Sequence, residues 1–351
     1  MTKKTKIILS ILTVFAVLGG IAGFVLGRYY VDNKRPGFAK DYVLYVYPDM
    51  TPEQIVDSLH MGAGAISRKS IERCALKEDL ASRMKPGKYT LKTTDPSVYA
   101  IRMVCNGWQT PHNLTLSGTI RTKASIATKI SKQMMVDSLS IVNALNDREF
   151  LSQYGFTPEN VFALIIPDTY QMYWTASVKD IFDRFKKEYD KFWTPERQTL
   201  AKKQGLSQME VSVVASIVNG ESLKEFEHPI IAGVYLNRLR KGMKLQADPT
   251  ICYIYEYKLD RVLKKHLQVE SPFNTYKYAG LPPAPINSPS KSCLESVLNP
   301  QPHKYIYFCA SPAFDGTHRF AVGYSEHLKN AREFQRALTA RRKARAAAQG
   351  S

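Results

Sequence analysis

The amino-acid sequence predicts an α+β protein held to a membrane by one N-terminal helix. Three observations carry that prediction: an uncharged run of 21 residues near the amino terminus, short strand–turn–helix units after it, and a change of texture from about Leu151 onward. The 351 residues suffice for a buried core and about two domains.

From Ile7 to Gly27 no residue is charged, and 21 residues rising about 1.5 Å each can cross roughly 30 Å of hydrocarbon. A cleaved signal peptide would have a shorter apolar region, about 7 to 15 residues, closed by a small-x-small site. This run ends Val25-Leu26-Gly27-Arg28 instead, which predicts an uncleaved anchor. Lys3, Lys4 and Lys6 on one side face Arg28, Lys34, Arg35 and Lys40 on the other, so the charge count does not orient it. Size does: a short basic tail stays inside while a large domain is translocated largely regardless of charge. The expected layout is a cytoplasmic tail at 1–6, a transmembrane helix at 7–27 and a polar linker at 28–40. The rest is expected on the periplasmic, or extracytoplasmic, side of the cytoplasmic (inner) membrane.

The run Asp41-Tyr-Val-Leu-Tyr-Val-Tyr47 alternates β-formers and reads as a strand. Thr51 then stands as an N-cap with Pro52 at the first helical position, ahead of Ile55, Val56 and Leu59 at helical spacing. A second unit has a Pro-Gly turn and strand at 85–91 and a helix through Val98, Ile101, Met103 and Val104. A third starts at 113–118 and continues into Ile126 and Ile130. These small α/β modules, 41–150, read as structural or glycan-binding. From 151 to 335, Pro, Asn and Tyr gather in loops between apolar segments, the texture of functional loops on a rigid scaffold. The end, 336–351, with Arg341-Arg342-Lys343-Ala344-Arg345, reads as a frayed basic helix in solvent, with lipid headgroups as the alternative contact.

Lys and Arg number 49 against 31 Asp and Glu, a net charge of +18 that points to anionic partners: lipid headgroups, cell-wall polymers or nucleic acid. Nucleic acid is set aside, because no reading helix, stacking-sheet motif or Cys/His module is present. Cys74, Cys105, Cys252, Cys293 and Cys309 form no CxxC pair and read as small buried hydrophobes. The seven histidines lack an HExxH or clustered spacing, and Ser222 lacks the second glycine of a nucleophile elbow. No metal and no cofactor is expected.

Chemistry concentrates in Glu210 to Glu221, EVSVVASIVNGE, where Val214, Ile217, Val218 and Glu221 fall at i, i+3, i+4 and i+7. On a helix Glu221 shares the apolar face, a costly place for an unpartnered charge unless its pKa rises and the acid stays protonated. A protonated carboxyl at a cleft wall can deliver a proton to a departing glycosidic oxygen. The β-branched content leaves a strand open as the alternative. A glutamate at a helix end is also a common capping or salt-bridge residue, so position alone does not assign the role.

Seven blocks in one order give the chain a resemblance to the endolytic murein transglycosylases of the YceG-like family, from about Asp41 to Phe334. They are Ile166-Pro-Asp-Thr-Tyr170, Ala215-Ser-Ile-Val-Asn-Gly-Glu-Ser222, Val234-Tyr-Leu-Asn-Arg-Leu239, Met243-Lys-Leu-Gln-Ala-Asp-Pro-Thr250, Phe273-Asn-Thr-Tyr276, Gly280-Leu-Pro-Pro-Ala-Pro-Ile286 and Tyr305-Ile-Tyr-Phe308. The resemblance implies a LysM-like module within 41–150, a catalytic domain at 151–335, and Glu221 as the catalytic residue. It departs from the family where Asn219 replaces an acidic residue two places before that glutamate, and where Phe162-Ala163 replaces a Glu-Gly pair.

The reaction so implied is non-hydrolytic cleavage of the β-1,4 bond between N-acetylmuramic acid and N-acetylglucosamine in peptidoglycan. It leaves 1,6-anhydromuramoyl ends and contributes to ending strand elongation. The anchor, holding the site close to the membrane where new strands emerge, predicts that nascent strands are the ones cut. Asn237, Arg238, Gln246, Asp248, Asn274 and Tyr276 are the candidate groove contacts, polar side chains on sugar hydroxyls and Tyr276 against a ring face. Peptidoglycan synthases are the candidate protein partners. Two other readings remain open at this point: a hydrolase in which a second carboxylate, Asp248 first, activates water, and a wall-binding protein in which Glu221 is structural.

Overall fold

The structure, a computed structural model, describes residues 2–349 and packs as two compact units. The first is built mainly from the chain up to Leu114, with 133–135 and 171–176. The second takes 115–132, 136–170 and the chain from Ser177 onward.

In the first unit, helix α1 (Lys3–Asn33) buries none of its side chains and is long and apolar enough to cross a membrane. Then come β1 (Tyr42–Val46), α2 (Pro52–Asp57), α3 (Arg68–Lys77), α4 (Leu80–Arg83), β2 (Gly87–Leu91) and α5 (Ser97–Asn106). The segment read as linker is therefore helical as far as Asn33. Asp32, near the helix end, is captured by α3: Arg73 reaches its carboxylate at 2.5 Å and the Ser70 hydroxyl donates to it at 2.5 Å. Strands β1 and β2 pair antiparallel, from Tyr42 opposite Leu91 to Val46 opposite Gly87. The Thr51 cap forms in full. Its hydroxyl accepts from the Gln54 N–H at 3.3 Å, and the Gln54 side chain accepts from the Thr51 N–H at 2.8 Å. Leu44, Val46, Ile55, Leu59, Ile71, Tyr89, Leu91 and Ile101 meet in this unit's core, which is the strand–turn–helix pattern read from the sequence.

β3 (His112–Thr115) pairs with β4 (Thr169–Met172), and the chain passes from one unit to the other within these strands. Helices α6 (Lys123–Ser131), α7 (Ser138–Asn146) and α8 (Arg148–Ser152) lie between them in sequence. After β4 come α9 (Val178–Phe192), α10 (Pro195–Lys203), α11 (Gln208–Glu221), α12 (His228–Arg240), α13 (Asp248–Ile254) and α14 (Lys291–Leu298). An antiparallel hairpin of β5 (Tyr307–Ala310) and β6 (His318–Ala321) and the long α15 (Tyr324–Gln349) complete the chain. Mixed helix and separate two-stranded sheets make this an α+β architecture. The basic stretch near the carboxyl end continues α15, and Arg341 lies 4.6 Å over the Phe314 ring. All five cysteines are free, with Cys74, Cys105 and Cys293 buried.

In the second unit α11 packs against α12, α13 and α14. Its amino end carries a reciprocal cap: Ser207 Oγ accepts from the Glu210 N–H at 3.2 Å, and Glu210 accepts from the Ser207 N–H at 2.8 Å. From Val211 to Val218 every residue is buried. A run buried on all sides has no amphipathic signature, which is why spacing left a strand open; the cap signals the helix instead.

Candidate active site

Glu221 closes α11, at the negative end of the helix dipole, where an ionised carboxylate is disfavoured. Burial pushes its carboxyl up to about 7; the hydroxyl of Tyr235 and the charge of Arg238 pull against that shift, while the charge of Asp248 adds to it. Tyr235, on α12, donates to Glu221 Oε1 at 2.5 Å. Burial and the Glu221 charge hold the Tyr235 hydroxyl proton well above its ordinary range, so the phenol remains a donor.

Asp248 is brought to this place by close packing of α13 on α11. A Cβ added at Gly220 would lie 2.7 Å from Pro249 Cβ and 2.9 Å from its Cγ, so the glycine next to Glu221 is where the α13 proline seats. We expect Gly220→Ala to displace the start of α13 and lower kcat/KM roughly tenfold or more. Helix propensity alone would favour alanine by about 1 kcal/mol. Unchanged kinetics together with a higher melting temperature would refute this.

The loop at 273–276 completes the arrangement. Thr275 accepts the backbone N–H groups of Gln246 and Ala247, each at 3.0 Å, and the Tyr276 hydroxyl donates to Asp248 Oδ1 at 2.5 Å. Burial and Asp248 together hold the Tyr276 proton well above its usual range. Gln246 has left-handed backbone, φ 50°, a conformation uncommon outside glycine and concentrated at functional sites.

The candidate contacts thus divide. Asp248 and Tyr276 are joined to each other, and the Glu221 carboxyl feels the Asp248 charge. Gln246 is exposed on the same turn. Arg238 is buried, its guanidinium donating to the carbonyls of Ile306 at 2.7 Å and Leu245 at 2.6 Å, so it acts on Glu221 as a nearby charge. Asn237 donates to the carbonyls of His303 and Tyr305, and Asn274 to those of Leu267 and Val269; both amides brace backbone. An open cleft of about 490 Å³ is lined by Lys244, Leu267, Gln268, Tyr276, Lys277 and Tyr278.

Of the two departures, Asn219 donates to Asn287 at 2.9 Å, and Phe162 and Ala163 are buried in a helical turn. Sequence reasoning missed Tyr235 and Glu227. Tyr235 sits three residues before Arg238, hence on the same helix face, a spacing that could have found it. Glu227 is buried, taking the His318 N–H at 2.7 Å, His318 Nδ1 at 2.9 Å and the Ser222 hydroxyl at 3.0 Å. No spacing rule points to it.

One raised-pKa carboxyl at a helix end, with a tyrosine donor on it and a second carboxylate whose own tyrosine partner lines a cleft, defines the class of single-acid sites suited to proton transfer. The chain belongs to the YceG-like family, whose model matches residues 44–333. It is 35% identical to the endolytic murein transglycosylase of Bacillus subtilis (strain 168) over 154 residues, 44% of this chain and 42% of that protein. It is 24% identical to the endolytic murein transglycosylase of Streptococcus pneumoniae serotype 2 (strain D39), over 91% of this chain and 64% of the relative. The chain therefore spans less than two thirds of the length of these curated relatives. A crystal structure of a YceG-like protein from Listeria monocytogenes shares the fold at a TM-score of 0.53 and 24% identity, covering 83% of this chain and 99% of that one.

Proposed function

We propose that this protein is an endolytic peptidoglycan lytic transglycosylase with Glu221 as its single acid and base. The observation that carries the reading is the Glu221 carboxyl, pushed up to about 7 by burial at the end of α11, with the Tyr235 hydroxyl on its Oε1 and the charge of Asp248 acting on it. Membership in a family whose relatives are named endolytic murein transglycosylases supports it. In this mechanism Glu221 gives its proton to the oxygen that leaves N-acetylmuramic acid C1 as the C1–O bond breaks. Glu221 then takes the proton of the muramoyl C6 hydroxyl as O6 closes onto C1. The carboxyl ends as it began, and no water is consumed.

Asp248 and Tyr276 are proposed to line the reacting sugar, with Gln246 beside them and Arg238 tuning charge from behind. Asn237 and Asn274 we now assign to shaping the groove. The module at 41–150, LysM-like by resemblance, is proposed to hold glycan. α1 would anchor the protein at the cytoplasmic membrane, with the catalytic domain, 151–335, on its outer side. There it would cut nascent strands and help to end their elongation, next to peptidoglycan synthases.

The test is digestion of purified sacculi by the full-length protein in detergent, followed by mass spectrometry of the products. We expect 1,6-anhydromuramoyl ends, one water lighter than reducing ends. Reducing ends would turn the assignment to a hydrolase using Asp248, and undigested sacculi would leave a wall-binding protein.

A further inference from the structure

The carboxyl of Glu221 has two oxygens, yet the proposed reaction needs one proton delivered to, and later recovered from, one place. Tyr235 addresses this asymmetry. Its hydroxyl lies 2.5 Å from Oε1, and its ring is 1% exposed and set edge-on against Phe308, centroids 6.0 Å apart at 90°. A ring so enclosed cannot swing its hydroxyl to another acceptor. If the acid proton sat on Oε1 and pointed at Tyr235, the phenolic O–H would have to find a different acceptor inside the core or go unpaired, which is unfavourable. With the proton on Oε2, the phenol donates to Oε1 and every group is satisfied.

We propose that Tyr235 is a positioning residue that fills Glu221 Oε1 and so leaves Oε2 as the oxygen that gives and recovers the proton. The inference rests on Glu221 being the acid and base. In the first half of the reaction Oε2–H passes its proton to the leaving sugar oxygen as the C1–O bond breaks. In the second, Oε2 takes the proton of the C6 hydroxyl as the C1–O6 bond forms. Throughout, the Tyr235 hydrogen stays on its own oxygen and steadies the carboxylate between the two steps.

Tyr235 and Arg238 on α12 and Asp248 on α13 act on Glu221, and its charge in turn reaches Cys252 on α13 and Tyr276 on the loop that follows. Arg238 is committed to two carbonyls and acts through its charge, so it cannot replace the lost donor in Tyr235→Phe. Removing the hydroxyl should therefore raise the carboxyl's pKa and release the proton's position together.

The experiment measures anhydro-end formation from sacculi between pH 5 and 9 for the full-length protein, Tyr235→Phe and Glu221→Gln. For Tyr235→Phe we expect kcat to fall about tenfold or more with KM unchanged, because the ring is enclosed. The alkaline limb of kcat/KM should move upward by roughly one pH unit. Replacing Tyr235 by 3-fluorotyrosine, a stronger donor of nearly the same shape, should move that limb the other way, and this second arm decides the matter if the phenylalanine variant does not fold. Profiles that superimpose on the unmodified protein's would overturn the proposal. If Glu221→Gln stays fully active, the underlying assignment of Glu221 fails instead; if it is inactive while the Tyr235 profiles do not move, only the positioning role fails.

Discussion

Glu221→Gln is expected to abolish cleavage of sacculi, a loss of at least about a thousandfold in kcat, while making the folded protein more stable above pH 7. General acid or base assistance is worth about 10² to 10⁴ for one proton transfer, and here one side chain would supply both. The amide keeps the shape and can still accept from Tyr235, so the loss isolates the proton. The stability gain has a definite sign. The Glu221 carboxyl is raised from 4.5 to about 7 by folding, so the folded state holds its proton more tightly. Stability is then fully present below about pH 4.5 and falls as pH climbs to about 7, beyond which the difference is constant. At about 1.36 kcal/mol per pH unit the penalty is on the order of 3 kcal/mol, and glutamine escapes it. Thermal melts at pH 5 and pH 8 check this: the variant's advantage should be small at the lower pH and several degrees at the higher. An equal shift at both would show that the carboxyl is not held proton-loaded by the fold.

What could be seen in the sequence follows the range of the forces involved. Local signals were legible: the apolar span within α1, the Thr51 cap with Pro52, and the alternation in β1 all depend on neighbours a few residues apart, and each appears in the structure. The helical end at Asn33 was not legible, because Asp32 is held by Arg73 and Ser70, about forty residues away in sequence. Glu221 could be singled out because a carboxylate in an apolar repeat violates a local rule. The groove residues had no such rule: Asn274 and Asp248 are both polar and both in resembling blocks, yet one amide ties off the carbonyls of Leu267 and Val269 while the other side chain meets Tyr276. Which task a polar side chain takes is set by tertiary contacts that only the fold supplies.

Glu227→Ala should unfold more easily than any other variant considered above and lose activity with it. The Glu227 carboxylate is almost fully enclosed and accepts three hydrogen bonds, from the His318 N–H, His318 Nδ1 and Ser222 Oγ. Truncation strands these donors in the interior, and removing one partner of a buried, hydrogen-bonded pair costs about 3–5 kcal/mol. For a unit of this size that is a melting temperature lower by about 10 °C. The contacts explain why function follows. Ser222 is the residue after Glu221, so one arm holds the end of α11. The other runs through His318, whose ring meets Phe308 edge-on at 5.3 Å, and Phe308 in turn meets Tyr235. Both the acid and the tyrosine on its Oε1 therefore lean on one buried carboxylate. Glu227→Gln separates support from charge: its carbonyl oxygen can still accept the His318 N–H, while the Ser222 hydroxyl can turn and His318 can change tautomer so that Ser222 Oγ and His318 Nδ1 accept from the new amide N–H groups. It should recover most of the lost stability. A Glu227→Ala protein that melted within a degree of the unmodified chain would mean that these three bonds do not hold the site together.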